Sequence, residues 1–159
     1  MILIADASAL IALAVCNSLH LLDDLFGDVL VPEAVYVEVT ANNKPQALIL
    51  KNYLEGKVRS VSMQHYVYLD AYADLGETQA MLLFKQLSAD YLLIDDKRGR
   101  KVATINQIKT VGSLGVLLQA KRSGLIPAIA PLLQQIAESP VFISTKLIRT
   151  VLELAGESE

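Results

Sequence analysis

Five carboxylates carry the chemistry this sequence could perform. Asp6 ends the apolar run Ile2-Leu3-Ile4-Ala5, and the pair Asp95-Asp96 ends a second run, Tyr91-Leu92-Leu93-Ile94. Short apolar runs of this kind read as buried strands. In an open parallel sheet, ligands bind outside the carboxyl ends of the strands, so acids at two such ends can converge. Glu38 follows Val31 and Val35 at helical spacing and shares their apolar face. Glu77 repeats the arrangement, with Ala80, Met81 and Phe84 three, four and seven residues on. A buried carboxylate without a partner costs on the order of several kcal/mol. The nearest basic residue to Glu77 along the chain, Lys85, is about 80° round the helix. Each acid also has an ordinary structural reading. Asp6 and Ser8 are favoured helix caps, and Glu77, just after Gly76, suits the positive end of a helix.

Gathered together, these acids would repel one another unless a counter-charge sat among them. All-oxygen ligation selects a hard divalent cation, Mg²⁺ or Mn²⁺. A nitrogen and sulfur site is excluded by supply, since the chain has one cysteine, Cys16, and two histidines, His20 and His65. The matching chemistry is metal-assisted hydrolysis of a phosphodiester. Seven of the fourteen basic residues follow closely: Lys97, Arg98, Arg100, Lys101, Lys109, Lys121 and Arg122, with no acid between positions 97 and 137. This run is either a solvated face on two helices or a strip that grips a nucleic-acid backbone. Tyr66, Tyr68 and Tyr72 have the spacing of helix packing, and also the chemistry of base stacking.

The elements that must position these residues follow from pattern and composition. In 159 residues, 53% are hydrophobic and 19% charged, with net charge −3 and mean hydropathy +0.40. This excludes intrinsic disorder, a disulfide framework and nucleic-acid binding by bulk positive charge. The apolar N-terminus lacks a basic leader and is interrupted by Asp6, so the chain reads as a cytoplasmic protein with no membrane span. Strands are expected at Ile2–Ala5, Asp28–Val31, Val58–Met63, Tyr91–Ile94 and Lys109–Val111. Helices are expected at Ala9–Val15 (opened by Ser8), Leu19–Phe26, Pro32–Thr40, Gln46–Glu55, Tyr66–Asp74, Gly76–Leu87, Lys97–Asn106, Gly112–Ser123, Ala128–Ala137 and Thr145–Ala155. The final Gly-Glu-Ser-Glu reads as a frayed tail. Alternating strands and helices predict an α/β fold with a mostly parallel sheet covered on both faces, a three-layer α/β/α sandwich.

These same residues resemble the PIN domain, the nuclease fold of VapC-type toxins. The resemblance rests on Asp6-x-Ser8 after a hydrophobic strand, Val31-Pro32-x-x-Val35-x-x-Glu38, Gly76-Glu77-x-x-Ala80, Leu92-Leu93-Ile94-Asp95-Asp96 with Arg100, and Val111-Gly112-Ser113-Leu114-Gly115. It covers roughly residues 1–125, which implies a PIN-like core there and a helical extension, 126–159, packed on the same domain. It implies strand order 3-2-1-4-5 and ribonuclease activity on RNA. It also implies Mg²⁺ or Mn²⁺ held by Asp6, Glu38, Glu77 and Asp96, with a small antitoxin partner and homodimerisation where the protein is a toxin. Ser8 and Ser113 would lie by the ion or its water. Many PIN toxins carry Thr-x-Asp at the fourth strand where this chain has Ile94-Asp95-Asp96. Alignment favours Asp96 as ligand, with Asp95 behind it or as an additional ligand. Lys97, Arg98, Arg100 and Lys101 are the expected contacts to substrate.

Overall fold

The computed structural model describes residues 1–62 and 74–157. Five parallel strands form one sheet: β1 (Ile2–Ala5), β2 (Asp28–Pro32), β3 (Val58–Arg59), β4 (Tyr91–Leu93) and β5 (Thr110–Val111). Their spatial order is β3-β2-β1-β4-β5, the order the PIN resemblance implied. The described helices are α1 (Ala7–Val15), α2 (His20–Phe26), α3 (Glu33–Val39), α4 (Ala47–Tyr53), α5 (Leu75–Leu87), α6 (Lys97–Ile105), α7 (Ser113–Arg122), α8 (Ala130–Ala137) and α9 (Thr145–Leu154). Tyr66, Tyr68, Tyr72, His65, the last residue expected in the third strand (Met63) and nearly all of the helix expected at Tyr66–Asp74 lie outside the described residues.

The sheet is buried on both faces, which is why its strands read as continuous apolar runs rather than alternating ones. Leu3, Ala5, Val29, Val31 and Leu93 face the larger core, packed by α1 to α4 and α7 to α9. Ile4, Leu92 and Ile94 face the smaller core, filled by Ala80, Met81, Leu83 and Phe84 of α5 and by Val102 and Ala103 of α6. The apolar N-terminal run is the interior of this sandwich. Ala9, Leu10, Ala12 and Leu13 of α1 are fully buried. Among the described residues no single helix is long and apolar enough to cross a membrane, and α1 and α2 meet at a 116° bend.

The third strand is shorter than its apolar pattern suggests. It pairs only with β2, through Val31 opposite Val58 and Pro32 opposite Arg59. Proline has no N–H and ends β2, so nothing remains for residues 60–62 to pair with. A side chain of α5 takes over instead: Gln86 Nε2 donates to the Ser60 carbonyl at 3.2 Å, and Gln86 Oε1 accepts from the Ser62 N–H at 2.5 Å.

The C-terminus is not a frayed tail as far as Glu157. Its carboxylate accepts from Lys121 Nζ at 2.9 Å and from the N–H groups of Ile129 (2.9 Å to Oε2) and Ala130 (3.0 Å to Oε1). Lys121 Nζ also donates to the Ala155 carbonyl. This knot ties the chain end and the start of α8 to α7. Buried Ile129, Leu133 and Ile136, with Val151 of α9, complete the larger core.

Candidate functional site

Strand alternation sorts the acids. Neighbouring side chains point to opposite faces, and the backbone stays strand-like beyond the formal ends of β1 and β4. The Asp6 N–H donates to the Leu93 carbonyl at 2.8 Å, and the Ile94 N–H to the Val111 carbonyl at 2.9 Å. Ile4 and Ile94 face the α5 and α6 side. Counting two residues on from each, Asp6 and Asp96 emerge on that side as well. Asp95 emerges on the α7 side.

Asp95 is fully engaged there. Its carboxylate accepts from the Ser113 N–H at 2.6 Å and from the Ser113 hydroxyl at 2.7 Å. A methyl added at Gly112 would stand 3.0 Å from Asp95 Oδ1 and 3.2 Å from Arg100 Nη1, so the chain approaches this acid closely. The expectation that Asp95 supplies an ion ligand gives way to a structural role, tying β4 to the start of α7. Ser113 is corrected with it. It is fully buried and its hydroxyl donates to Asp95, so its part is to hold Asp95 in place.

The remaining acids collect on the other side. Asp6 occupies the N-cap position of α1, yet its side chain makes no capping hydrogen bond and is nearly buried. The expected opening of this helix by Ser8 is therefore shifted: Ser8 lies inside α1, exposed. Asp74 caps α5 by accepting from the Glu77 N–H at 2.7 Å, while Glu77 Oε2 accepts from the Asp74 N–H at 3.3 Å. This is a reciprocal capping box, and it aims Glu77. Asp96 caps α6, its Oδ2 accepting from the Gly99 N–H at 2.7 Å. Two glycines adjoin the acids. A methyl at Gly76 would stand 3.5 Å from Asp74 Oδ1 and 3.7 Å from Asp6 Oδ1. One at Gly99 would stand 3.3 Å from both Asp96 Oδ2 and Glu77 Oε1, and 2.6 Å from Ile94 Cδ1.

Glu38 differs from expectation. Val35 and Val39 bury the inner face of α3, and Glu38 is exposed at its margin. One residue short of Val39 in the fully buried Val31-x-x-x-Val35-x-x-x-Val39 line, it reaches the rim of the cluster rather than its floor.

Electrostatics show how the acids bear on one another. Burial pushes Asp6 up to about 7, and the carboxylates of Asp74, Glu38 and Asp96 push the same way, against one lowering contact from the Ala7 N–H. Burial likewise raises Glu77 to about 7, helped by Asp74, Asp6 and Asp96. Glu38 is raised by partial burial and by Asp74, with Lys44 opposing. The charges acting on Asp6 and Glu77 are all carboxylates. The ion pairs Lys57 with Asp23 and Lys121 with Glu157, both between described residues, involve none of them.

Asp6, Glu38, Asp74, Glu77 and Asp96 form an all-oxygen donor set that suits a hard divalent ion. Among the described residues no three of these side chains stand close enough to enclose an ion as placed. Donor chemistry and mutual repulsion fit such an ion, and side-chain rotation would have to close the set around it.

A basic rim borders the acids. Glu77, Asp96, Lys97, Arg98 and Lys101 line one cleft of about 570 Å³. Arg100 opens onto two neighbouring clefts beside Asp95 and Lys97. The basic run is thus divided. Its first four cations surround the site, whereas Lys121 belongs to the Glu157 knot.

A model of the PIN-domain family DUF3368 matches residues 2–157. The chain belongs to the PIN-domain family. No curated protein and no solved structure matches it. PIN domains are generally nucleases and typically use divalent metals, which agrees with the class of chemistry read from the acids. Two residues of this PIN site were not singled out from the sequence. Asp74 was readable from its capping spacing, Asp74-x-x-Glu77. Gly99 had no local signal, because the crowding there, from Ile94 Cδ1 first and Glu77 Oε1 after it, exists only in the folded chain.

Proposed function

We propose that this PIN domain is a Mg²⁺- or Mn²⁺-dependent ribonuclease that hydrolyses RNA phosphodiester bonds. The observation that carries this reading is the gathering of Asp6, Glu77 and Asp96 on one side of the sheet end, where burial and neighbouring carboxylates raise Asp6 and Glu77 and a basic rim borders the cleft. Carboxylates kept for stability alone are stabilised by partners, whereas burial and neighbouring carboxylates disfavour the charged forms of Asp6 and Glu77.

Asp6, Glu38, Glu77 and Asp96 would hold the ion, and Asp74 positions Glu77 through the capping box. A divalent ion in such a site polarises a phosphoryl oxygen and makes water more acidic. Without an ion, burial and neighbouring carboxylates hold Asp6 and Glu77 at about 7, and a bound cation would favour their ionised forms. Lys97, Arg98 and Lys101 offer charge to backbone phosphates at the cleft mouth, which offsets the repulsion an acidic floor exerts on a polyanion.

The test is cleavage of single-stranded RNA by the purified chain in Mn²⁺, with Asp6→Asn prepared identically. Activity confined to the wild type is expected. Equal turnover in both would favour the alternative, a non-catalytic PIN module that binds RNA or a partner protein. The VapC-type motif set extends the reading to the toxin of a toxin–antitoxin pair. Growth arrest on expression of the wild type, relieved by Asp6→Asn, is the outcome that reading requires.

A further inference from the structure

A second cleft, of about 700 Å³, opens from the carboxylate site toward the C-terminal helices. It shares Asp96 and Lys97 with the acidic cleft, and Arg100 lines it as well. Its lining also includes Asp95 and the apolar Ile11, Leu114, Phe142, Ile143 and Leu147, of which Leu147 borders the neighbouring cleft of Lys97 and Arg100 as well. Phe142 is 89% exposed, more than any other large hydrophobic residue among those described. Its neighbours are the reverse: Val141 and Ile143 are packed against the larger core. In an extended segment that alternation directs the middle side chain outward.

The segment is anchored at both ends. The Val141 N–H donates to Ser139 Oγ at 3.1 Å, and the Ser139 hydroxyl donates to the Ile136 carbonyl at 2.6 Å. Ser144 caps α9 by accepting from the Leu147 N–H at 3.1 Å. The ring is therefore presented by a braced backbone, in a cleft that Lys97 and Arg100 also line.

We propose that this cleft receives one nucleotide of a single-stranded RNA, with its base stacked on Phe142 and its phosphate held toward Arg100 and Lys97. The assignment rests on the ribonuclease reading and extends it to how substrate is gripped. Two features favour RNA over a protein segment. The cleft is continuous with the proposed site of cleavage. Cationic and aromatic groups also line the same cleft, as a phosphate and a base require. A volume of this size suits a small ligand or a single unit of a chain.

The experiment is binding of a labelled oligoribonucleotide of about 10 nucleotides. It is measured by fluorescence anisotropy in Ca²⁺, with strand integrity checked on a denaturing gel. A second strand carries the same backbone with abasic positions. Phe142→Ala is expected to weaken the base-bearing strand about 10-fold and the abasic strand less than about 2-fold. Phe142→Trp should retain wild-type affinity. Because the ring is exposed, Phe142→Ala should melt within about 1 °C of the wild type.

Equal affinity of wild type and Phe142→Ala for the base-bearing strand would overturn the assignment. So would an equal loss on both strands. A change confined to self-association in sedimentation would identify the cleft as an interface between copies of this chain instead. If the wild type binds neither strand, the ribonuclease reading fails as well. Intact binding that ignores Phe142 removes only the stacking role.

Discussion

Glu77 and Glu157 are both glutamates drawn against a helix N-terminus, and their surroundings differ in sign. Glu157 is met by Lys121 Nζ and by the N–H groups of Ile129 and Ala130, and these donors hold it below the usual carboxylate range against a desolvation that opposes them. Glu77 has one N–H donor, from Asp74, and otherwise faces the carboxylates of Asp74, Asp6 and Asp96, so it rises to about 7. The first arrangement stabilises the fold by itself. The second weakens the fold unless a counter-ion arrives, and a fold that keeps such a cluster uses it for something other than stability.

Breaking the acidic region should therefore cost activity, and breaking the knot should cost stability. The largest expected effect is on cleavage. Asp6→Asn, Glu77→Gln or Asp96→Asn should each lower RNA hydrolysis in Mn²⁺ by about 100-fold or more. Glu157→Gln should leave the rate unchanged, and a comparable loss there would erase the distinction between the two regions.

Next in size is the response to metal. At a concentration about 100 times the dissociation constant, Mn²⁺ should add roughly 2.7 kcal/mol of stability, raising the melting temperature by about 5–10 °C over EDTA. Coincident melting curves in Mg²⁺, Mn²⁺ and EDTA would count against an ion in this cluster.

A pH series in EDTA sharpens the contrast further. Asp6 and Glu77 have folded values of about 7, above their ordinary 3.8 and 4.5. Between about pH 4 and 7 the folded chain binds more protons than the unfolded one, so their effect is a loss of stability as pH rises through that window. Asp6→Asn should flatten the decline and, at pH 8 without metal, melt higher than the wild type. Glu157 has the opposite sign. Its contribution is present above the ordinary value of 4.5 and disappears as pH falls below it. A wild-type curve that climbs steadily from pH 4 to 8 in EDTA would contradict the acidic-cluster half of this comparison.

The smallest effect belongs to the knot. Glu157→Gln exchanges a carboxylate for an amide facing Lys121 and two N–H groups, and should lower stability by about 1 kcal/mol, or roughly 3 °C. The measurement is a thermal melt at pH 7.

Much of the architecture was legible along the chain because it depends on short-range pattern. Ile2–Ala5 and Tyr91–Leu93 are uninterrupted apolar runs, and a strand buried on both faces can look no other way. Pro32, Gly76 and Gly112 mark helix starts where the structure has them to within a residue. Asp6, Glu77 and Asp96 were recognisable as a set, since each stands at the end of a strand or the first turn of a helix, where backbone geometry fixes direction.

What the sequence could not apportion was the division between Asp95 and Asp96. Alternation required them to part but did not say what waited on each side. The meeting of β4 with the Gly112-Ser113 turn assigned Asp95 to Ser113. Gly99 lies between the other two acids, where a methyl would stand 3.3 Å from both Asp96 Oδ2 and Glu77 Oε1. Glu157 is the plainest case. Nothing within several residues of it signals a partner, and its donors come from α7 and the start of α8, 27 to 36 positions away. Local composition determines which segments are strands and helices, because the forces there act between neighbours. Whether an acid ends as a support or as part of a reactive cluster is decided by segments far apart in the chain, through hydrogen bonds and field effects that exist only once those segments are packed together.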